Sequence, residues 1–261
     1  MSKTADAINS AKGRGENVVV AYFPAGYPDT KSSIEACVAI CEAGADVLEL
    51  GVPYSDPVMD GLVIQEATEQ ALASGFKLNQ LFDVIRSITS KVSTPVLVMS
   101  YWNPVLQFGL ERFANELKNA GAAGLITPDL IPDEAKDWLE ISDKLELDRV
   151  FLATPSSSAE RLAQAANSSR GFVYAVSTMG ITGAREDLDK AARLVVAGVR
   201  QSETGTPVCV GIGISSAEQV LEVNGYADGA IVGSALIKAY QSGGVNELVN
   251  YVRKLKVGSS S

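Results

Sequence analysis

The chain has no histidine in 261 residues, only three cysteines, and fewer Lys and Arg (22) than Asp and Glu (31). Histidine is the side chain whose ordinary pKa lies near neutrality, so acid-base chemistry there falls mainly to carboxylates. A zinc site would need two ligands beyond Cys37 and Cys41, and with only Cys209 left the sequence supplies no convincing set. Cys37 and Cys41 stand four apart in a helical pattern with Ile34 and Val38, which places both on a buried face as core residues. The net charge of −9 and pI near 4.7 argue against nucleic acid or an anionic membrane as a main partner, because both would repel such a surface. No apolar run is long enough to span a bilayer. Residues 1–17 are polar and mixed in charge, without the apolar core of a secretion signal, so a cytoplasmic protein is expected.

What the chain does have is a soluble globular composition, 46% hydrophobic and 20% charged. Eight short apolar β-type runs recur: Val18–Phe23, Val47–Leu50, Val96–Met99, Gly124–Thr127, Val150–Ala153, Phe172–Val176, Val208–Gly211 and Ala230–Gly233. Between them lie amphipathic stretches such as Ile34/Cys37/Val38/Cys41, Leu81/Val84/Ile85/Ile88 and Leu110/Phe113/Leu117. Strand and helix alternate, and about 250 residues is the usual size of a (β/α)8 TIM barrel, the α/β fold expected here. A doubly wound open sheet is the competing architecture, but no Gly-x-Gly-x-x-Gly follows the first strand. Extra helices are expected after strand 2, where the pattern breaks at Ala73-Ser74-Gly75, and near the C-terminus, where it breaks at Ser242-Gly243-Gly244. Residues 1–257 read as a single domain and 258–261 as a flexible tail.

In a barrel the carboxyl ends of the strands share one mouth, so their residues limit the chemistry. The ends carry Pro24-Ala25-Gly26, Glu49-Leu50-Gly51, Tyr101, Pro128-Asp129, Thr154-Pro155, Ser177-Thr178, Gly211-Ile212-Gly213 and Gly233-Ser234, with no lysine among them. A Schiff-base aldolase lacks its nucleophile there, and a metal aldolase its imidazoles. Glu49 ends an apolar strand, so burial should raise its pKa, whereas Asp60 on a polar, Gly-containing loop should stay ionised. Each has another reading: Glu49 as half of a buried ion pair, Asp60 as a turn or helix-cap residue. Asp56, before Pro57, reads as a turn or interface residue, and Asp129 either orients a mouth side chain or binds loop amides. Gly211, Gly213, Ser215, Gly233 and Ser234 have the composition of a barrel phosphate site after strands 7 and 8, or else of tight turns with Ser215 as a helix cap. Tyr22, Tyr101 and Tyr174 lie at or beside strand ends, where rings can line a pocket for a planar aromatic ligand or simply pack. Gly180-Ile-Thr182-Gly183-Ala-Arg185 reads as a glycine-hinged loop able to close over a substrate, or as a plain surface loop.

Taken together, Tyr22-Phe-Pro-Ala-Gly26, Glu49-Leu-Gly-Val-Pro-Tyr-Ser-Asp-Pro57, Asp60-Gly61 with Ile64-Gln65, Tyr101 with Asn103-Pro104, Pro128-Asp129-Leu130 and Gly180-Ile-Thr-Gly183 resemble the tryptophan synthase α subunits. Gly211-Ile-Gly-Ile-Ser215 and Gly233-Ser-Ala235 extend the likeness over nearly the whole chain. The resemblance implies a lyase that splits indole-3-glycerol phosphate into indole and glyceraldehyde 3-phosphate by an aldolase-type reaction. It also implies a β subunit in an α2β2 heterotetramer that joins the indole to serine with pyridoxal phosphate, this chain itself needing no cofactor or metal. Carried over by position, Glu49 is the acid-base residue and Asp60 stabilises charge at the indole N–H. Tyr22, Tyr101 and Tyr174 fall in the pocket, Thr182 engages Asp60 on closure, and Gly183, Gly213, Gly233 and Ser234 contact phosphate. Tyr27, Leu62 and Ser177-Thr178-Met179 depart from the family's common Asp, Pro and Ser-Arg. The last departure bears on loop closure and communication with the β partner rather than on the chemistry.

Overall fold

Short runs rich in Val, Ile and Leu, buried on both faces, favour parallel strands, and in the computed structural model each expected run contributes to one sheet. The structure describes residues 2–176, 185–211 and 213–256. Its strands are β1 (Val19–Pro24), β2 (Val47–Gly51), β3 (Val96–Met99), β4 (Gly124–Ile126), β5 (Asp148–Val150), β6 (Leu152–Ala153), β7 (Val173–Val176), β8 (Val208–Gly211) and β9 (Gly229–Val232). They are ordered β5-β4-β3-β2-β1-β9-β8-β7-β6, all pairs parallel. Only Phe151 separates the two edge strands, so the segment Asp148–Ala153 joins both edges and nearly closes the sheet into a TIM barrel. Among the described residues nine strands therefore stand where eight were expected. The fifth divides because the Phe151 amide donates to the Ser169 hydroxyl (3.2 Å) instead of a neighbouring strand, while its carbonyl accepts from the Tyr174 amide (3.1 Å).

Both expected insertions are present. After β2 the helix Leu62–Ala73 ends at Ser74, Gly75 takes φ +91°, and a second helix, Leu81–Thr89, follows. The C-terminal helix Ser234–Lys256 is broken at Gly243 and Gly244. Its far end is tied to the opposite end of the barrel by Lys256 Nζ, which donates to Asp46 Oδ2 (2.7 Å) and the Asn17 carbonyl (2.6 Å). Two helices had no counterpart in the sequence reading: Trp102–Phe108, and Lys3–Gly13 within the polar N-terminal stretch. Ser2 caps the latter by accepting from the Ala5 amide (3.0 Å), and of its apolar residues Ala5, Ala7, Ile8 and Ala11 the last two are fully buried.

Strand parity separates two cores. Val19, Ala21, Phe23, Leu48, Leu50, Val96, Val98 and Leu125 face the surrounding helices. Val18, Val20, Val47, Leu97, Ile126, Val150, Phe172, Cys209 and Ile231 fill the barrel, where Ile8 and Ala11 join them. The N-terminal helix thus stops the end opposite the strands' carboxyl termini. Ile8→Ala is expected to destabilise the fold by about 2–4 kcal/mol through the cavity it leaves. Urea unfolding measures this, and a variant as stable as the parent would refute the sealing role.

Candidate active site

Because side chains alternate along a strand, Glu49 shares the inward parity of Val47, and Tyr22 that of Val18 and Val20. These two residues are direct neighbours in the β1–β2 register. Above the packed interior a cavity of about 400 Å³ remains at the carboxyl end of the barrel. Tyr22, Glu49, Met99, Leu152, Tyr174 and Ile231 supply its strand-borne walls. Two glycines make room for the rings: a Cβ at Gly51 would collide with the Tyr22 ring, and one at Gly211 would lie 2.8 Å from the Tyr174 hydroxyl. The cavity is therefore lined on one side by aromatic and apolar surface, as a planar ring would require.

Glu49 is completely buried, and neither carboxylate oxygen has a hydrogen-bond partner. The ion-pair reading fails, since no cation faces it among the described residues. Burial, and secondarily the charge of Asp60, push its pKa up to about 8. Asp60 is half-buried on the wall formed by Met59, Asp60, Gly61 and Ile64, and burial raises it to about 6. Desolvation thus acts on both carboxyls, more than expected for Asp60, but their order stands. Near pH 7 Glu49 is mainly protonated and Asp60 mainly ionised. Both acids also raise the phenols of Tyr22 and Tyr174, for which burial is the larger cause.

The loop carrying Asp60 is held by specific bonds. Its amide donates to the Pro57 carbonyl (3.0 Å), its carbonyl accepts from Gln65 Nε2 (2.8 Å), and the Tyr101 hydroxyl accepts from the Met59 amide (2.9 Å). Tyr101 packs on Tyr54, ring centroids 5.2 Å apart, and stands behind the loop rather than in the cavity wall. Asp129 accepts from the Trp102 amide (2.8 Å), so of its two readings the loop-amide role holds. Asp56 is exposed and accepts from the Ser55 hydroxyl (2.6 Å).

Gly211, Gly213, Ser215, Gly233 and Ser234 line the same cavity, Gly213 with φ +67° and Ser234 at the start of the C-terminal helix, and a Cβ at Gly233 would lie 3.6 Å from Ile64 and Tyr22. The neighbouring helix Ala217–Asn224 is capped by Ser216, while Ser215 lines the cavity and its hydroxyl donates to Gln219 Oε1 (3.3 Å). Thr182 and Gly183 lie outside the described residues, as do Ser177, Thr178 and Met179. The strand-end reading missed Lys238, which reaches the cavity from the C-terminal helix. The signal was its spacing, four residues after Ser234 and hence on the same helical face.

Residues 8–259 match the family described as Tryptophan synthase alpha chain. The chain belongs to that family. It is 60% identical over 245 residues to the tryptophan synthase alpha chain of Leifsonia xyli subsp. xyli, the match spanning 94% of each chain. It is 49% identical to that of Nocardia farcinica over 93% of this chain and 90% of the relative. Among solved structures it resembles Mycobacterium tuberculosis tryptophan synthase with a TM-score of 0.92 and 44% identity, covering 98% of this chain and 99% of the other. The tryptophan synthase complex of Pyrococcus furiosus gives 0.83 and 34%, covering 92% and 98%.

The buried carboxyl carries a stability cost with a definite sign. Its folded pKa of about 8 exceeds the ordinary 4.5, so stability is full below about pH 4.5 and is lost as pH rises towards 8. Glu49→Gln is expected to gain stability over the parent across that window, reaching on the order of a few kcal/mol at alkaline pH. Melting both proteins at pH 5 and pH 8.5 checks this. A pH-independent difference would contradict it.

Proposed function

We propose that the chain cleaves indole-3-glycerol phosphate to indole and glyceraldehyde 3-phosphate by carboxylate acid-base catalysis and passes the indole to a tryptophan synthase β subunit. One observation carries the reading: a fully buried, unpartnered Glu49 shares its cavity with Asp60 and with the glycine-rich ends of β8 and β9. Protonated Glu49 delivers its proton to indole C3, leaving positive charge at the ring nitrogen, which Asp60 stabilises as a fixed anion. The C–C bond then breaks as the glycerol hydroxyl forms the aldehyde, and the Glu49 carboxylate takes that hydroxyl proton, returning to its starting form. Tyr22 and Tyr174 flank the ring, Tyr101 holds the Asp60 loop, and Gly213, Gly233 and Ser234 bind the phosphate, with Gly183 beside it. Thr182 engages Asp60 when the loop closes.

On this reading the chain needs no cofactor or metal, while the β partner uses pyridoxal phosphate to join indole to serine in a cytoplasmic α2β2 assembly. No helix among the described residues is long and apolar enough to cross a membrane. Residues 1–257 act as one domain, and the expected tail 258–261 lies outside the described residues. Exposed apolar side chains support a docking face: Val58 and Leu62 after β2, Leu106 after β3 and Ile131 after β4, on adjacent strands around the mouth. Indole could pass directly between subunits there.

Glu49→Gln and Asp60→Asn should each lower indole release by roughly a hundredfold or more, the usual weight of a general acid-base or fixed-charge group. Retained turnover in both variants would sink the assignment. Leu106→Asp, outside the cavity, should weaken association with the β subunit roughly tenfold or more by placing a charge in the apolar contact. Sedimentation of the mixed subunits tests this, and unchanged assembly would move the docking face elsewhere.

A further inference from the structure

The phosphate end of the cavity was expected to rely on backbone amides, a serine hydroxyl and a helix start. Lys238 adds a full positive charge to the same walls. It lies one helical turn after Ser234, and side chains on a helix lean back towards its N-terminus. A lysine stem can span that turn, which brings the ammonium towards the residues Gly233 and Ser234 rather than away from them. Lys238 is exposed and makes no ion pair among the described residues, whereas Lys12, Lys31, Lys118 and Lys256 are paired with carboxylates. The walls otherwise carry two acids, Glu49 and Asp60, in a chain of net charge −9.

We infer that Lys238 is the charge-recognition residue of this cavity, drawing the phosphate dianion of the substrate to the glycine-rich end and so fixing which way round the molecule enters. The inference rests on the function proposed above. An ammonium on a flexible stem acts as a point charge and works over several ångströms, while the glycine amides and Ser234 act only at contact. Asp60, on the wall of the same cavity, repels the dianion, and the rim lysine supplies the opposing pull. Its exposure leaves the cation open to screening by salt, which a buried ion pair would resist.

The test compares Lys238→Gln, Lys238→Arg and Lys91→Gln in indole-3-glycerol phosphate cleavage and in inhibition by inorganic phosphate, at low and high salt. Lys91 is exposed ahead of β3, at the opposite end of the barrel, and removes the same net charge. At low salt Lys238→Gln should raise both KM and the phosphate inhibition constant about threefold to tenfold, with a smaller effect on kcat. Lys238→Arg should restore most of both, Lys91→Gln should move neither, and the Lys238→Gln deficit should shrink at high salt. Parent-like KM and phosphate inhibition in Lys238→Gln, with the parent enzyme active, would overturn the inference and leave the proposed function standing. Equal losses in Lys91→Gln would also overturn it, by showing only a net-charge effect. A parent chain that neither cleaves the substrate nor binds phosphate would remove the function and the inference together.

Discussion

Strand parity is the constraint from which the site follows. Once β1 and β2 pair with Tyr22 beside Glu49, and Val18, Val20 and Val47 fill the barrel, the next inward layer must hold the phenol and the carboxyl. A one-residue slip in β2 would turn Glu49 towards the helices and bring Leu48 inside, so the register that packs the core also aims the acid. The same parity sends Met99, Leu152 and Tyr174 to the cavity. The acid occupies this position without compensation, since both oxygens lack partners, and the fold therefore stores an unfavourable burial at the point where a proton must be held.

The two carboxyls separate because they stand at different depths. Glu49 is on a strand inside the barrel, Asp60 on the loop leading into the helix Leu62–Ala73, half-buried. Burial, joined at Glu49 by the charge of Asp60, places one pKa near 8 and the other near 6, on either side of neutrality, so one fold presents a proton donor and an anion to the same small volume. The loop must be stiff for this to matter. Tyr101 and Gln65 both bond its backbone, and Tyr54 backs Tyr101, so the anion is fixed by residues that do not themselves face the cavity.

Much of this was legible in the sequence because it depends on period. Apolar runs located the strands within one or two residues, and Glu49 could be placed inward from its neighbours alone. What escaped depends on contacts between distant segments. The Lys3–Gly13 helix has a polar sequence with Ile8 and Ala11 as its buried contacts, and only the open end of the barrel gives them a destination. The split at Phe151 requires the Ser169 hydroxyl, 18 residues away. Tyr101 read as a pocket ring because strand ends face the mouth, yet its hydroxyl is taken by the Met59 amide. Lys238 stands not at a strand end but one turn into the following helix, from which a long side chain also reaches the mouth.

Among the described residues no buried cation stands near Glu49, and this links these parts. A phosphorylated substrate brings negative charge into an acidic protein, and a buried arginine would be the direct way to balance it. Such a group close to Glu49 would favour its ionised form and lower its pKa, removing the proton that the proposed chemistry needs at neutral pH. Backbone amides at Gly213 and Gly233, the Ser234 hydroxyl and the start of its helix offer donors without adding a full charge to the interior. Lys238 supplies the full charge from the rim, and it is not among the charges that act on Glu49. Placing the strongest cation outside and only dipoles inside lets one cavity accept an anion and still keep a carboxylic acid protonated.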